Sequence, residues 1–120
     1  MQISERNSIL GLIGFSRRAG SIVIGTDLVC DEIRSGKIHF AILAMDCSPN
    51  TKKRVLNCCE YYKCDLLTDV FTKEELTKIC SKSSYISAIG ISDRNIIKGI
   101  LGKIKNSAKE NQEEKYVRKG

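Results

Sequence analysis

A chain of 120 amino acids that does covalent or metal chemistry must bring nucleophiles, bases or ligands together at usable spacings, and here the candidates are few. Six cysteines (Cys30, Cys47, Cys58, Cys59, Cys64 and Cys80) are the most reactive side chains. They would form disulfides in an oxidising compartment, or a metal site if two close pairs were present. No Cys-x-x-Cys occurs, Cys58 and Cys59 point in different directions on a helix, and the single histidine, His39, sits in an apolar run. The thiols are expected to be reduced, buried and hydrophobic in behaviour, with Cys58 or Cys59 the thiol to test for a metal or redox role. His39 is expected to pack within a strand. The spacing Gly20-x-x-x-x-Gly25 lacks the lysine and hydroxyl that complete a phosphate loop. With no nucleophile beside a base and no carboxylate pair, the expectation is a protein with no catalytic activity, no metal and no cofactor.

Charge is the stronger signal. The net charge is +6, and a basic tail means something different from a basic folded face. Lys109, Lys115, Arg118 and Lys119 in the segment 106–120 are nearly offset by Glu110, Glu113 and Glu114. Most of the excess therefore belongs to the folded part. It lies in Arg17-Arg18, in Lys52-Lys53-Arg54, and in the last helix, where Arg94, Lys98, Lys103 and Lys105 face no acid. One such cluster can simply be a solvated face; three together favour a polyanionic partner.

The elements that must carry these residues follow from periodicity. The length suits one domain, the composition is globular, and no apolar run reaches the length a bilayer requires. Arg17 and Arg18 interrupt the first apolar stretch, so neither a signal nor a transit peptide is expected, and the expected location is cytoplasmic. Ile9, Leu10, Leu12, Ile13 and Phe15 make one face of a first helix that Gly20 ends. Ser21 to Ile24 reads as a strand, and a second helix runs to about Ser35-Gly36 with Gly25 or Thr26 as its cap. Ile38 to Met45 is apolar on both faces, the signature of a central strand covered on each side. Ser48-Pro49 launches a helix through Tyr61-Tyr62, and Asp65 to Thr68 is a short strand. Thr72-Lys73-Glu74-Glu75 matches a capping box opening a helix to about Cys80. Tyr85 to Ile91 alternates as the last strand. Ile96, Ile97, Ile100, Leu101 and Ile104 form a helical stripe, and the segment from Asn106 reads as a flexible charged tail or frayed helical extension beyond a domain of residues 1–105. This alternation predicts an α/β sandwich.

The segments GLIGFSRRAGSIVIGTDLV, IRSGKIHFAILAMDCSPNTKKRV, CEYYKCD and KEELTKI, in this order of helices and strands, resemble the bacterial YlxQ-like branch of the kink-turn-binding ribosomal proteins of the L7Ae and L30e type. The resemblance covers roughly residues 6 to 104. It implies a three-layer α/β/α fold with a small mixed sheet and RNA, ribosomal in kind, as the ligand. In such proteins RNA is gripped by the N-terminus of the second helix, the end of the central strand and the loop before the last strand. By position these are Gly25, Thr26, Asp27, Leu28 and Asp31, then Ala44, Met45 and Asp46, then Lys82, Ser83 and Ser84. Helix N-terminal amides suit phosphates and base edges, and a loop can close over an extruded nucleotide.

The chain departs from the kink-turn readers at Gly-x-Asn-Glu-x-x-Lys, which reads here Gly25-Thr26-Asp27-Leu28-Val29-Cys30-Asp31. An amide becomes Asp27, a guanine-reading carboxylate becomes Leu28, and a lysine becomes Asp31, so two acids four residues apart would meet RNA on one helical face. Attraction would then come from phosphate contacts by Arg17, Arg18, Lys37, Lys52, Lys53, Arg54 and Lys82, which strengthen binding without reading sequence. Tyr61, Tyr62 and Tyr85 are expected to pack with a wet hydroxyl rather than stack on bases. The other reading is a protein-interaction module, with ribosomal proteins as partners, that uses an apolar Leu28-Val29 surface. A monomer is expected in either case.

Overall fold

The computed structural model describes residues 2–111 and 116–117, with side chains through residue 105. In chain order the elements are α1 (Ile3–Arg18), β1 (Ile22–Ile24), α2 (Thr26–Arg34), β2 (Phe40–Leu43), α3 (Pro49–Tyr62), β3 (Asp65–Leu67), α4 (Lys73–Ile79), β4 (Ala88–Ile91), α5 (Arg94–Asn111) and β5 (Tyr116–Val117). The strands form one sheet in the order β1-β4-β2-β3-β5. Only β2 and β3 run parallel; the other three pairings are antiparallel. This is the three-layer α/β/α sandwich with a small mixed sheet that the sequence predicts.

Strand alternation divides the interior into two cores. Phe40, Ile42 and Ala44 face α1, α4 and α5, where they meet Ile9, Ile13, Leu76 and the Ile96, Ile97, Ile100, Ile104 stripe. Ala41 and Leu43 face the opposite way, onto Val29, Cys30 and Ile33 of α2 and Val55, Cys58 and Cys59 of α3. Since successive side chains on a strand point to opposite faces, a strand covered on both sides must be apolar throughout. All four residues of β2 are buried.

Helix starts are fixed where the sequence places them. Ser48 Oγ accepts from the Thr51 amide at 3.2 Å, with Pro49 opening α3. At α4, Thr72 Oγ1 accepts from the Glu75 amide at 3.1 Å while Glu75 Oε1 accepts from the Thr72 amide at 3.0 Å, the reciprocal arrangement of a capping box.

Three expectations need correction. Regular pairing in β2 begins at Phe40, because the Ile38 amide donates to Glu32 O at 3.3 Å, at the end of α2. His39 therefore stands ahead of the ladder and is exposed rather than packed. Residues 85–87 likewise precede the β4 ladder, the Ile86 amide being drawn to Thr77 Oγ1 at 2.9 Å. Phe15 is exposed, since α1 buries a narrower stripe of Ile9, Ile13 and Ser16 with Leu10 and Leu12 only partly covered. At the C-terminal end, α5 runs on to Asn111, as the helical-extension alternative has it, and β5 pairs Val117 with Leu66 and Tyr116 with Leu67. The remainder of the expected tail, 112–115 and 118–120, lies outside the described residues.

Gly90 sits in β4 between β1 and β2. A Cβ there would meet Ile38 Cγ2 at 2.9 Å and Val23 Cγ2 at 3.0 Å, so the close approach of these two side chains over the strand requires glycine.

Arg6 ties α1 to α4. It pairs with Glu75, donates through Nε and Nη2 to Val70 O at 3.3 and 3.2 Å, and lies 5.1 Å above the Phe71 ring. The hydrogen bond from Arg6 lowers the Glu75 pKa, against the opposing pull of burial. A carboxylate with a lowered folded pKa stabilises the fold above its unfolded pKa, and that contribution is lost as pH falls through the folded value. Glu75→Gln retains a capping-box side chain and removes the charge. The variant is expected to be less stable than the parent at neutral pH, with the gap closing below the ordinary carboxylate range, as measured by urea midpoints across pH. A gap independent of pH would contradict the assignment.

Candidate nucleic-acid interface

Both ladders of β4 stop at one end of the sheet, and three segments meet there. The Gly25 amide donates to Ala88 O at 3.0 Å, and the Ala44 amide donates to Ser87 O at 2.8 Å. These bonds bring the start of α2, the end of β2 and the loop before β4 together. Gly25, Thr26, Lys82, Ser83 and Ser84, with Ile24 and residues 85–87, line an open groove of ≈ 300 Å³. Five of the site residues expected from sequence thus share one cavity.

Gly25 is the N-cap of α2, with φ 106° and ψ 142°. Glycine adopts this region readily and other residues pay strain. Having no side chain, it leaves the first-turn amides of α2 without a side-chain cap. Those orphan donors and the positive end of the helix dipole favour negative charge at the groove.

The acids that would oppose an anion are engaged elsewhere. Asp27 pairs with Arg54 from the first turns of α3, and Asp31 pairs with Arg34 at 2.8 Å. Asp46 Oδ1 accepts from the Lys73 amide at 2.8 Å, so its carboxylate serves the N-terminus of α4. Lys52 and Lys53 are exposed on α3 next to Arg54. Lys73 stands 5.7 Å above the Tyr85 ring. Sequence reasoning passed over Lys73, and no local signal marks it, because its place depends on Asp46 and Tyr85, each more than ten residues away.

Leu28, Met45 and Tyr85 are 48%, 51% and 71% exposed at this end, whereas Val29 is fully buried. The apolar surface expected at Leu28-Val29 is therefore Leu28 alone on α2. Tyr61, at 79% exposed, and Tyr62, at 42%, are also more open than packing tyrosines. Their rings meet edge to face at 4.8 Å, at the opposite end of α3 from Ser48.

Other expected residues do not join the groove. Lys37 precedes β2 and forms an ion pair with Glu32 at 3.8 Å, at the end of the sheet where Ile22, Phe40 and Ile91 pair. Arg17 and Arg18 close α1, and Arg17 is half-buried with an unpartnered Nε. Neither Lys37 nor Arg17-Arg18 lines the groove.

The cysteines are free thiols, five buried and Cys47 half-buried. Cys58 donates to Cys30 O at 3.6 Å while Cys59 faces Cys64, so the adjacent pair does point in different directions. Among the described residues no group of three or more His, Cys, Asp or Glu is placed to hold a metal ion. No helix among them is long and apolar enough to cross a membrane.

A family model for the ribosomal protein L7Ae/L30e/S12e/Gadd45 family matches residues 7–99. The chain belongs to this family. Over 98 residues it is 32% identical to the RNA-binding protein YlxQ of Enterococcus faecium, covering 82% of this chain and 92% of that one. Over 52 residues it is 44% identical to the RNA-binding protein YlxQ of Bacillus subtilis (strain 168), covering 43% and 52%. It is thus a YlxQ-like member of the L7Ae superfamily. Among solved structures, a protein with unknown function from Bacillus halodurans C superposes with a TM-score of 0.75 at 25% identity, over 81% of this chain and 96% of that one. The 15.5kD RNA binding protein of Giardia lamblia superposes with a TM-score of 0.75 at 19% identity, over 88% and 92%. The latter likeness is one of fold.

Burial pushes the Cys58 thiol up to about 11, with Cys30 adding to the shift. Hydrogen bonding to Cys64, then burial, raises Cys59, and burial raises Cys47 and Cys80. Because the thiolate is the nucleophile, native protein treated with iodoacetamide near pH 8 is expected to be alkylated first at half-buried Cys47 and at the buried thiols only after denaturation. Peptide mass spectrometry reads the order, and rapid labelling of Cys59 or Cys64 in the native state would refute it.

Proposed function

We propose that this protein binds structured RNA, ribosomal in kind, through the end of the sandwich where α2, β2 and the loop before β4 meet. The observation that carries the reading is the uncapped N-terminus of α2 opening onto the same groove as Lys82, Ser83 and Ser84. Family membership and relatives named as RNA-binding proteins support it. The protein acts without catalysis, as a cytoplasmic monomer, and residues 1–105 carry the activity while the nearly neutral tail adds little.

Phosphates accept from the first-turn amides of α2 and from Ser83 and Ser84, and Lys82, Lys52 and Lys53 supply charge. Arg54 contributes less, because its guanidinium is committed to Asp27. Each lost phosphate contact lowers the salt slope by roughly 0.7 to 0.9. Lys52→Ala/Lys53→Ala is therefore expected to flatten the salt dependence of filter binding to an RNA hairpin by about one to two units. Wild-type protein that retains no hairpin at low salt overturns the reading, and the exposed Leu28 and Met45 then favour a protein partner.

Specificity for a kink-turn is expected to be small. Leu28 offers no hydrogen bond, Asp27 is held by Arg54, and Asp31 is held by Arg34. A base-reading contact is worth ~1–3 kcal/mol, so the absence of three leaves little discrimination. Competition between a kink-turn and a hairpin of equal length at moderate salt measures it; a strong preference for the kink-turn contradicts this part of the proposal.

A further inference from the structure

The last helix carries a positive surface that the groove does not use. Arg94, Lys98 and Lys105 are exposed, and at 3.6 residues per turn they fall within about 40° of one another around the axis of α5, over roughly 16 Å of rise. Ile96, Ile97, Ile100 and Ile104 are buried on another face of the helix, and α1 approaches at Gly99, where a Cβ would lie 3.2 Å from Leu12 Cδ1. The helical angles put the basic line on the flank away from that contact. Lys103 falls on the other side and is half-buried.

Some cations elsewhere are paired with acids. Arg6, Arg34, Lys37 and Arg54 each reach a carboxylate. No described ion pair involves Arg94, Lys98 or Lys105. The one acid at the start of this segment, Asp93, is occupied as a cap, its Oδ1 accepting from the Asn95 amide at 2.8 Å and the Ile96 amide at 3.2 Å. A face that serves solubility alone mixes both signs, whereas a line of one sign concentrates positive potential and attracts a polyanion.

The line is also displaced from the groove. α5 starts beyond the Ile91 end of β4, whereas the groove borders the Ala88 end. It belongs to the layer of α1 and α4, across the sheet from α2 and α3. We propose, on the RNA-binding reading above, that Arg94, Lys98 and Lys105 form a second RNA track, which takes the phosphate backbone of a segment outside the one seated in the groove. One protein then holds two stretches of the same RNA.

Filter binding across a salt series tests this with two probes, a hairpin carrying a single turn of duplex and a long transcript carrying several such hairpins. Arg94→Gln/Lys98→Gln/Lys105→Gln is expected to lower the salt slope on the long transcript by roughly two units and to leave the slope on the hairpin unchanged. Lys52→Ala/Lys53→Ala should lower both. Lys98→Arg/Lys105→Arg keeps the charge and should retain the wild-type slope. Since all three positions are exposed, a circular dichroism melt confirms that the variants fold. An unchanged slope on the long transcript, or an equal fall on both probes, overturns the second track while leaving the groove intact; wild-type protein that binds neither probe overturns the groove itself.

Discussion

Strand β4 is paired on both sides, through three residues to β1 and four to β2, and both ladders close at Ser87 and Ala88. Backbone amides must find partners when buried, so the position at which this pairing ends is set by hydrogen bonding rather than by the side chains of the loop. That ending delivers Gly25 and Ala44 to the same few ångströms of sheet edge. Gly90 permits the arrangement, because Ile38 and Val23 close over the strand at a distance that any side chain would deny them. The groove, the start of α2 and the junction into α3 are held in register by this one strand.

Much of the fold was legible because its signals are local. The capping box at Thr72 and Glu75, the Ser48-Pro49 start and the isoleucine stripe of α5 each depend on neighbours within a turn or two. Exposure was harder to read. His39 and Tyr85 sit in apolar stretches that look like strand, yet their backbones stand ahead of the ladder. Where a ladder begins depends on Glu32 and Thr77, which compete for the amides of Ile38 and Ile86 from another element. Phe15 shows the same limit on a helix, since the width of the buried stripe is decided by which helices pack on it.

At the site, the sequence located the segments but not their electrostatics. Asp27 and Asp31 looked like two charges set against RNA. The fold brings Arg54 across from α3, 27 positions along the chain, to one of them, while Arg34 turns back to the other. The basic clusters are spread over more of the fold than their sequence spacing shows. Arg17-Arg18 and Lys37 do not line the groove, and Lys52, Lys53, Lys73 and Lys82 take no part in the described ion pairs.

Gly25 joins two requirements that are usually separate. Its positive φ excludes ordinary side chains by strain, and those are the serine, threonine, aspartate and asparagine side chains that would otherwise cap α2. Local stability and availability are thus decoupled at this corner: a sequence drifting toward a better-capped helix meets a backbone barrier before it reaches the capping residue. The same turn that sets the entry into α2 therefore keeps its first-turn amides without a side-chain cap.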